Sequence, residues 1–522
     1  MRIPLLVALV VVTGLSAQTP PRFEIADVHA SGPAMNPFTF ASGGVLRGDR
    51  YDLRKATMLD LIRIAYKVPP ETILGGPNWL EFDRFDIAAK ASEQSSPDAV
   101  RRMLQTLLVD RFHLSVHNDM RPMPAYVLSM GKNQPKLTES SGPGDPHCRY
   151  LEQPNGSTVD AYACRNMSMA GFAELLRDRG RGYLRDPVVD ATGLEGEWDF
   201  DIQWTHSSAV LAGGAERTTL IDAVARQLGL KLELHEVPAP VLMIDRVDKP
   251  TPNSPDVSQK LPPRPLEFEV ADLKLNKRGQ RGYPEYTRGG LHGVGIPLMP
   301  MLGFAWDMDT VHTAHRFIGL PKGIESVYFD INARTAGHTN ALATGDSGFD
   351  DDLRAMLRTL LIERFQIKWH YEDRLMDAWS LVSAKPKLKK ADPAGRASCH
   401  EARSMVNDPR NANPLLTQMI SCRNVTMAQF ASKLLEIDDY TFAYPAEDAT
   451  GIEGTWDFDL SFTRGGLLEQ KPEGSGGEPS EPSGAISLAE AIGRQLGLRL
   501  EKRKRMLPAI VIDHMELTPI EN

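Results

Sequence analysis

Two aspartates stand in matching settings far apart in the chain: Asp190 opens an Asp-Ala-Thr-Gly word, and Asp448 opens it again. Two carboxylates sharing one proton is the peptide-hydrolysing chemistry of aspartic proteases, which take one Asp-Thr-Gly from each homologous half. Here Ala191 and Ala449 split that tripeptide. Gly-Leu-Glu-Gly or Gly-Ile-Glu-Gly follows, the composition of a turn in which Asp bonds its own backbone and Gly takes a positive φ. The sequence predicts two turns, not a catalytic pair.

Other residues that could do chemistry are also doubled. His113 and His117 lie four apart on a segment read as a strand, but their counterparts are Gln366 and His370. A two-histidine metal site would be lost in one copy, so the histidines read as polar partners. Asp199 and Asp201, in Trp-Asp-Phe-Asp, are the candidate acids of a hydrolase reading. Trp198 and Trp456 could form a sugar platform, but beside an alternating strand they read as core anchors. Lys502 to Arg505 form a short basic run, read as a solvated strand face. No nucleophile elbow, phosphate-binding loop or metalloprotease helix motif occurs. The sequence therefore assigns no catalytic, cofactor-binding or metal residue, and no cofactor is expected.

The words that carry these residues return in order. Phe23-Glu24-Ile25-Ala26-Asp27 becomes Phe268-Glu269-Val270-Ala271-Asp272, and Leu107 to Phe112 becomes Leu360 to Phe365. Cys164-Arg165-Asn166 becomes Cys422-Arg423-Asn424, and Arg226 to Leu230 becomes Arg494 to Leu498. Such a period is that of a whole domain. The first domain is set at 18–250 and the second at 267–522, with a proline-rich linker at 251–266 that should be an extended, semi-rigid spacer. Lys471 to Ser483 reads as a surface loop.

Residues 1–17 have the pattern of a cleaved signal peptide: Arg2, an apolar run from Ile3 to Gly14, and Ala17 at the cleavage point. The apolar run is shorter than the about 20 residues a membrane span needs. Export makes disulfides stable, and the repeat pairs the four cysteines as Cys148–Cys164 and Cys399–Cys422. A net charge of -9 with mixed signs argues against nucleic acid as a partner.

The elements that must position these residues follow a common grammar. Ser96 caps a helix whose first residue is Pro97, with Val100, Met103, Leu104, Leu107 and Leu108 on one face. Ser487 and Glu490 form a capping box, and Gly497 ends that helix. Strands at Phe112 to Val116 and at Leu498 and Leu500 follow, each trailed by a second strand such as Ala125 to Met130 or Ala509 to Asp513. Each domain is expected to hold two helix–strand–helix–strand–strand halves. The fold class is α+β, with mixed or mainly antiparallel sheets and packed helices.

Phe23 to Val28, Leu61 to Tyr66, Gly75 to Leu80, Arg84 to Ile87, Arg121 to Tyr126 and Val241 to Asp245 resemble an uncharacterised family of soil-associated, mainly acidobacterial exported proteins. The resemblance covers nearly all of the mature chain, once per copy. It implies no activity; in some relatives the domain accompanies membrane metallopeptidase modules of the antibiotic-sensor type, which points to extracytoplasmic sensing. Copy two departs at Ile318-Gly319-Leu320-Pro321-Lys322-Gly323 and carries Trp379 near the place of Tyr126. The halves also look like the short N-terminal modules of secretins and TonB-dependent receptors. The expectation is a non-catalytic extracytoplasmic binding or sensing protein with a protein or small-ligand partner. Its alternatives are a secreted hydrolase and a structural envelope protein.

Overall fold

The computed structural model describes residues 20–520 except 33–41, 133, 143, 154–157, 181–182, 185, 207–217, 265, 278–280, 288, 309–315, 336–338, 342–350, 393–394, 403–415, 439–440, 443 and 466–483. The expected signal peptide at 1–17 and the loop at Lys471 to Ser483 lie outside the described residues. The fold is α+β, and the described residues form six mostly antiparallel sheets, three of them centred on each copy.

Each copy is a pair of lobes on one long ribbon. In copy one, Ser115–Met130 runs antiparallel to Leu230–Arg246, from Met130↔Leu230 at one end to Ser115↔Arg246 at the other. Copy two repeats this with Lys368–Ser383 and Leu498–His514. At the strand rise, such ribbons span roughly 50 Å.

The N-lobe of copy one packs helices Met58–Tyr66 and Pro97–Phe112 on a sheet whose order is Ile25–Ala30, Arg84–Lys90, Arg50–Thr57, Ser42–Arg47. Leu242, Ile244 and Val116 of the ribbon complete its core. The C-lobe has Val159–Met167 between His147–Tyr150 and Trp198–Thr205, under helix Met169–Arg179. Its core takes Tyr126, Leu128, Leu230 and Leu232 from the other end of the same ribbon. In copy two, Ile510, Ile512 and Trp369 serve the N-lobe, and Leu381, Leu498 and Trp379 serve the C-lobe.

The sequence reading of two short strands after each helix is corrected here. Ser115–Met130 is one strand, and its partner lies over a hundred residues away. The halves exchange long strands and do not close short hairpins. Pro122, Pro124, Pro238 and Pro240 lie within these strands. Proline has no N–H to give a ladder, and Pro122 stands directly opposite Pro238. That pair cannot be hydrogen-bonded, and every second residue falls in the same class. All four prolines therefore sit where an N–H would point away from the partner strand, and the ladder loses nothing.

Short strands clamp the ribbon ends. Ile73–Gly75 lies parallel to Leu242 to Ile244, and Val188–Asp190 lies parallel to Tyr126 to Leu128. Phe317–Ile318 and Glu447–Ala449 do the same in copy two. Gly75 has φ 78°, and a Cβ there would lie 3.0 Å from the Ile244 carbonyl oxygen; Gly319 has φ 84°, and a Cβ there would lie 2.6 Å from that of Ile512. The glycine word that had drifted between copies keeps one structural task, close approach to the ribbon.

Helix ends largely follow the sequence. The Ser96 hydroxyl accepts from Ala99 N at 3.2 Å. Ser487 accepts from Glu490 N at 3.3 Å, but the Glu490 carboxylate turns to Arg494, so the box is half formed. His113 is a correction. It is the left-handed C-cap of Pro97–Phe112, with φ 50°, and precedes the strand. Gln366 has the same φ of 50°.

Cys148 faces Cys164, and Cys399 faces Cys422, on neighbouring strands with the sulfur atoms at bonding distance. Each pair ties the outer strand of a C-lobe sheet to its centre. Replacing Cys148 and Cys164 together by Ala should lower the unfolding free energy by about 3 kcal/mol, from the loop closed. The urea midpoint of the oxidised protein checks this, and an unchanged midpoint would mean that the pair is not bonded in solution.

Candidate functional site

The doubled polar words prove to be internal supports. Asp190 accepts from Thr192 N at 2.9 Å and from its hydroxyl at 2.8 Å; Asp448 accepts from Thr450 at 2.9 and 2.7 Å. Gly193 and Gly451 then turn at φ 70° and 67°. These are the turns the sequence predicts, and the two aspartates serve separate copies.

Asp199 and Asp201 flank the buried Phe200 on the outer side of their strand. Asp199 accepts from the Ser140 hydroxyl at 2.5 Å and from Asn166 N at 2.9 Å. Those two bonds hold its carboxyl below the usual range, the reverse of what a general acid needs. Asp201 pairs with Arg165 at 2.9 Å, whose guanidinium also donates to the Cys164 and Phe200 carbonyls. Copy two repeats the set with Asp457 on Asn424 N and Asp459 on Arg423. Trp198 and Trp456 rest against their C-lobe cores, as anchors do.

One doubled constellation has partners the sequence reading missed. His117 Nδ1 lies 2.8 Å from Asp245, and His370 Nδ1 lies 2.9 Å from Asp513, across the N-lobe end of each ribbon. The signal was available: Val241 to Asp245 and Ala509 to Asp513 end in Asp in both copies. His113 meets Asp248 instead, at 3.2 Å, so the two histidines of copy one do not converge. Among the described residues no group of three or more His, Cys, Asp or Glu could hold a metal.

A cluster of charge lies in a seam between the copies. Arg47 and Asp352, both with side chains only 5% exposed, approach to 3.7 Å, and Arg264 of the linker reaches Asp352 at 2.6 Å. Lys55 pairs with Asp307, and Arg354 bridges Asp307 and Asp351 at 2.9 Å each. Thr339–Ala341 of copy two also adds as an edge strand to Ser42–Arg47 of copy one. A second contact joins the same N-lobe to the C-lobe of copy two. Arg396 binds Glu81 at 2.5 Å and donates to the Ile73 carbonyl, Arg84 meets Glu436 at 3.2 Å, and Phe82 packs on the C-lobe core. Burial pushes the Glu81 carboxyl up, and His400 and Arg396 outweigh it, so it stays below its usual value. The linker expected to be a spacer is pinned along the way: Arg111 binds Thr251 and Asn253, and Val257 is buried. These charges answer one another, and the seam is a joint between copies.

What is left open is the middle of each ribbon. Among the described residues, the face that both lobes pack on is largely exposed between them. In copy one it carries Met120 opposite Pro240, Pro122 opposite Pro238 and Pro124 opposite Glu236. In copy two it carries Asp373 opposite Pro508, Leu375 opposite Met506 and Asp377 opposite Lys504. Met120 is 57% exposed, Leu375 62%, Met506 61% and the adjoining Tyr371 52%. Apolar side chains aligned between two walls form a saddle suited to binding. The basic run falls here, with Lys504 paired to Asp377 at 3.1 Å and Lys502 over the Trp379 ring at 5.1 Å.

Residues 59–247 and 300–515 each match the family described as a protein of unknown function, DUF3738. The chain belongs to that family, in two tandem copies. No curated protein and no solved structure matches the chain. Both matches start at the first N-lobe helix, although the strands before it complete the lobe. Both end with the ribbon, so each matched segment runs from the first N-lobe helix to the end of the long strand pair.

The His370 imidazole is held above its usual range, first by its hydrogen bond to Asp513. A raised histidine adds stability that is full below the unfolded value of about 6.5 and is lost as pH rises through the folded value. Asp513→Asn should return the His370 midpoint, followed by NMR, toward that ordinary value. A midpoint unmoved by Asp513→Asn would contradict the pairing.

Proposed function

We propose that this protein is a non-catalytic binding or sensing protein that works outside the cytoplasm, with the ribbon saddles as its binding surfaces. One observation carries the reading: on the lobe-side face of each ribbon, five of the six side chains in three consecutive cross-strand pairs are exposed, with Leu375, Met506 and Met120 more than half exposed. Two lobes at the ends of a stiff ribbon leave a floor that a partner can cover without displacing anything. The recurring carboxylates give the hydrolase alternative little support. Asp199 and Asp457 cap backbone amides, and Asp201 and Asp459 are held by arginines. Export through the leader at 1–17 is part of this proposal, and the two cysteine pairs are compatible with it. So is the fact that no helix of the described residues is long and apolar enough to cross a membrane.

The test is photo-crosslinking in the cells that make the protein, with the reactive side chain placed at Leu375, at Met120, or at the exposed helix residue Val109 as control. Adducts with another extracytoplasmic molecule from 375 or 120, but not from 109, support the reading. Absence of adducts at both ribbon positions would contradict it, and adducts only with the chain itself would favour the envelope-building alternative.

A further inference from the structure

The two saddles differ in one respect that selects a partner for the second. In copy one, the outer edge of Leu230–Arg246 has Pro238 and Pro240 at positions whose N–H would point outward. An incoming strand would find no donors there, and prolines are a recognised way to close an exposed edge. In copy two, Met506 replaces Pro238 and Lys504 replaces Glu236, leaving Pro508 alone at the end of the stretch. Lys502, Lys504 and Met506 share the class of Pro508, so their N–H groups point outward. Phe317–Ile318 covers this edge only at Ile510 and Val511. Among the described residues, no backbone hydrogen bond outside the ribbon ladder reaches 498–508.

Charge separates the copies in the same place. Residues 498–508 hold five cations, Arg499 and Lys502 to Arg505, against Glu501 alone, whereas the matching 230–240 hold Lys231 against Glu233 and Glu236. Arg505 is committed to Glu447 and the Pro445 carbonyl. The others hold exchangeable partners: Arg499 and Arg503 with Glu501, Lys504 with Asp377 at 3.1 Å, and Lys502 with the Trp379 ring. A second copy offering the same edge would meet like charges, which disfavours self-pairing.

We infer that the outer edge of Leu498–His514 takes an acidic, extended segment of a partner protein as an added strand. This rests on the binding reading above and gives it an edge and a partner chemistry. The added strand satisfies the outward N–H and C=O groups of 500–507, and its acidic side chains lie along Lys502, Arg503 and Lys504.

The experiment uses the full chain and two fluorescent peptides of about ten residues, one alternating Val with Glu and one alternating Val with Lys. The acidic peptide should bind, with an affinity that falls as salt rises, and the basic one should bind at least about tenfold more weakly. Met506→Pro should weaken the acidic peptide about tenfold with an unchanged melting midpoint, because the strand of copy one already holds Pro238 there. Should that variant melt early, Lys502→Glu with Lys504→Glu should give the same loss in a chain whose ladder is untouched. Equal binding of the two peptides, or indifference to these substitutions, would overturn the inference. Binding that survives Met506→Pro but disappears with Leu375→Asp would overturn the edge and leave the saddle reading standing. Self-association abolished by Met506→Pro, without peptide binding, would overturn it in favour of a second copy.

Discussion

Everything else in the molecule hangs on two strands that each serve two cores. Leu242 and Ile244 close the first N-lobe while Leu230 and Leu232, on the same strand, close the first C-lobe. Ile510 and Ile512, with Leu498, do the same in copy two. Burying one such side chain contributes roughly 1.5–3 kcal/mol. Neither lobe can be detached without opening a core. Because the side-chain period of a strand is two, the residues buried at both ends and those bare between them must share one face. The saddle is a geometric consequence of two lobes packing on the same side of a ribbon longer than either.

Charge pairs join the copies to one another, beside an added edge strand and the packing of Phe82. One N-lobe bridges both lobes of copy two, through Arg47 and Lys55 at one site and Glu81, Phe82 and Arg84 at the other. Buried ion pairs of this kind contribute little net stability against an apolar equivalent, but removing one partner is costly. They suit a joint that must set orientation. The linker takes part as well, since Arg264 belongs to it.

Much of this was legible in the sequence. The tandem repeat, the helix at Pro97, the Asp-Ala-Thr-Gly turns and the facing of the cysteines all rest on local chemistry or on the repeat itself. What escaped depends on long-range pairing. Pro122 and Pro238 look like strand breakers until they are seen opposite one another, each withholding an N–H that the ladder never needed. His117 and Asp245 are partners only because the register brings Met243 opposite His117. The charged seam had no signal at all, since its members are scattered from Arg47 to Arg354. The saddle was visible only as an odd cluster of prolines in one copy and a basic run in the other.

Amide hydrogen exchange resolved residue by residue on the intact chain tests the ribbon account most directly. The account predicts an alternation in copy two: Asp373, Leu375, Asp377, Lys504 and Met506 exchange quickly, their ladder-bonded neighbours slowly, and outward amides are protected only where Phe317–Ile318 and Glu447–Ala449 add to the ribbon. Uniform protection across 372–378 and 502–507 would mean that the middle is covered or its edges are paired, and would contradict the bare ribbon on which the account rests.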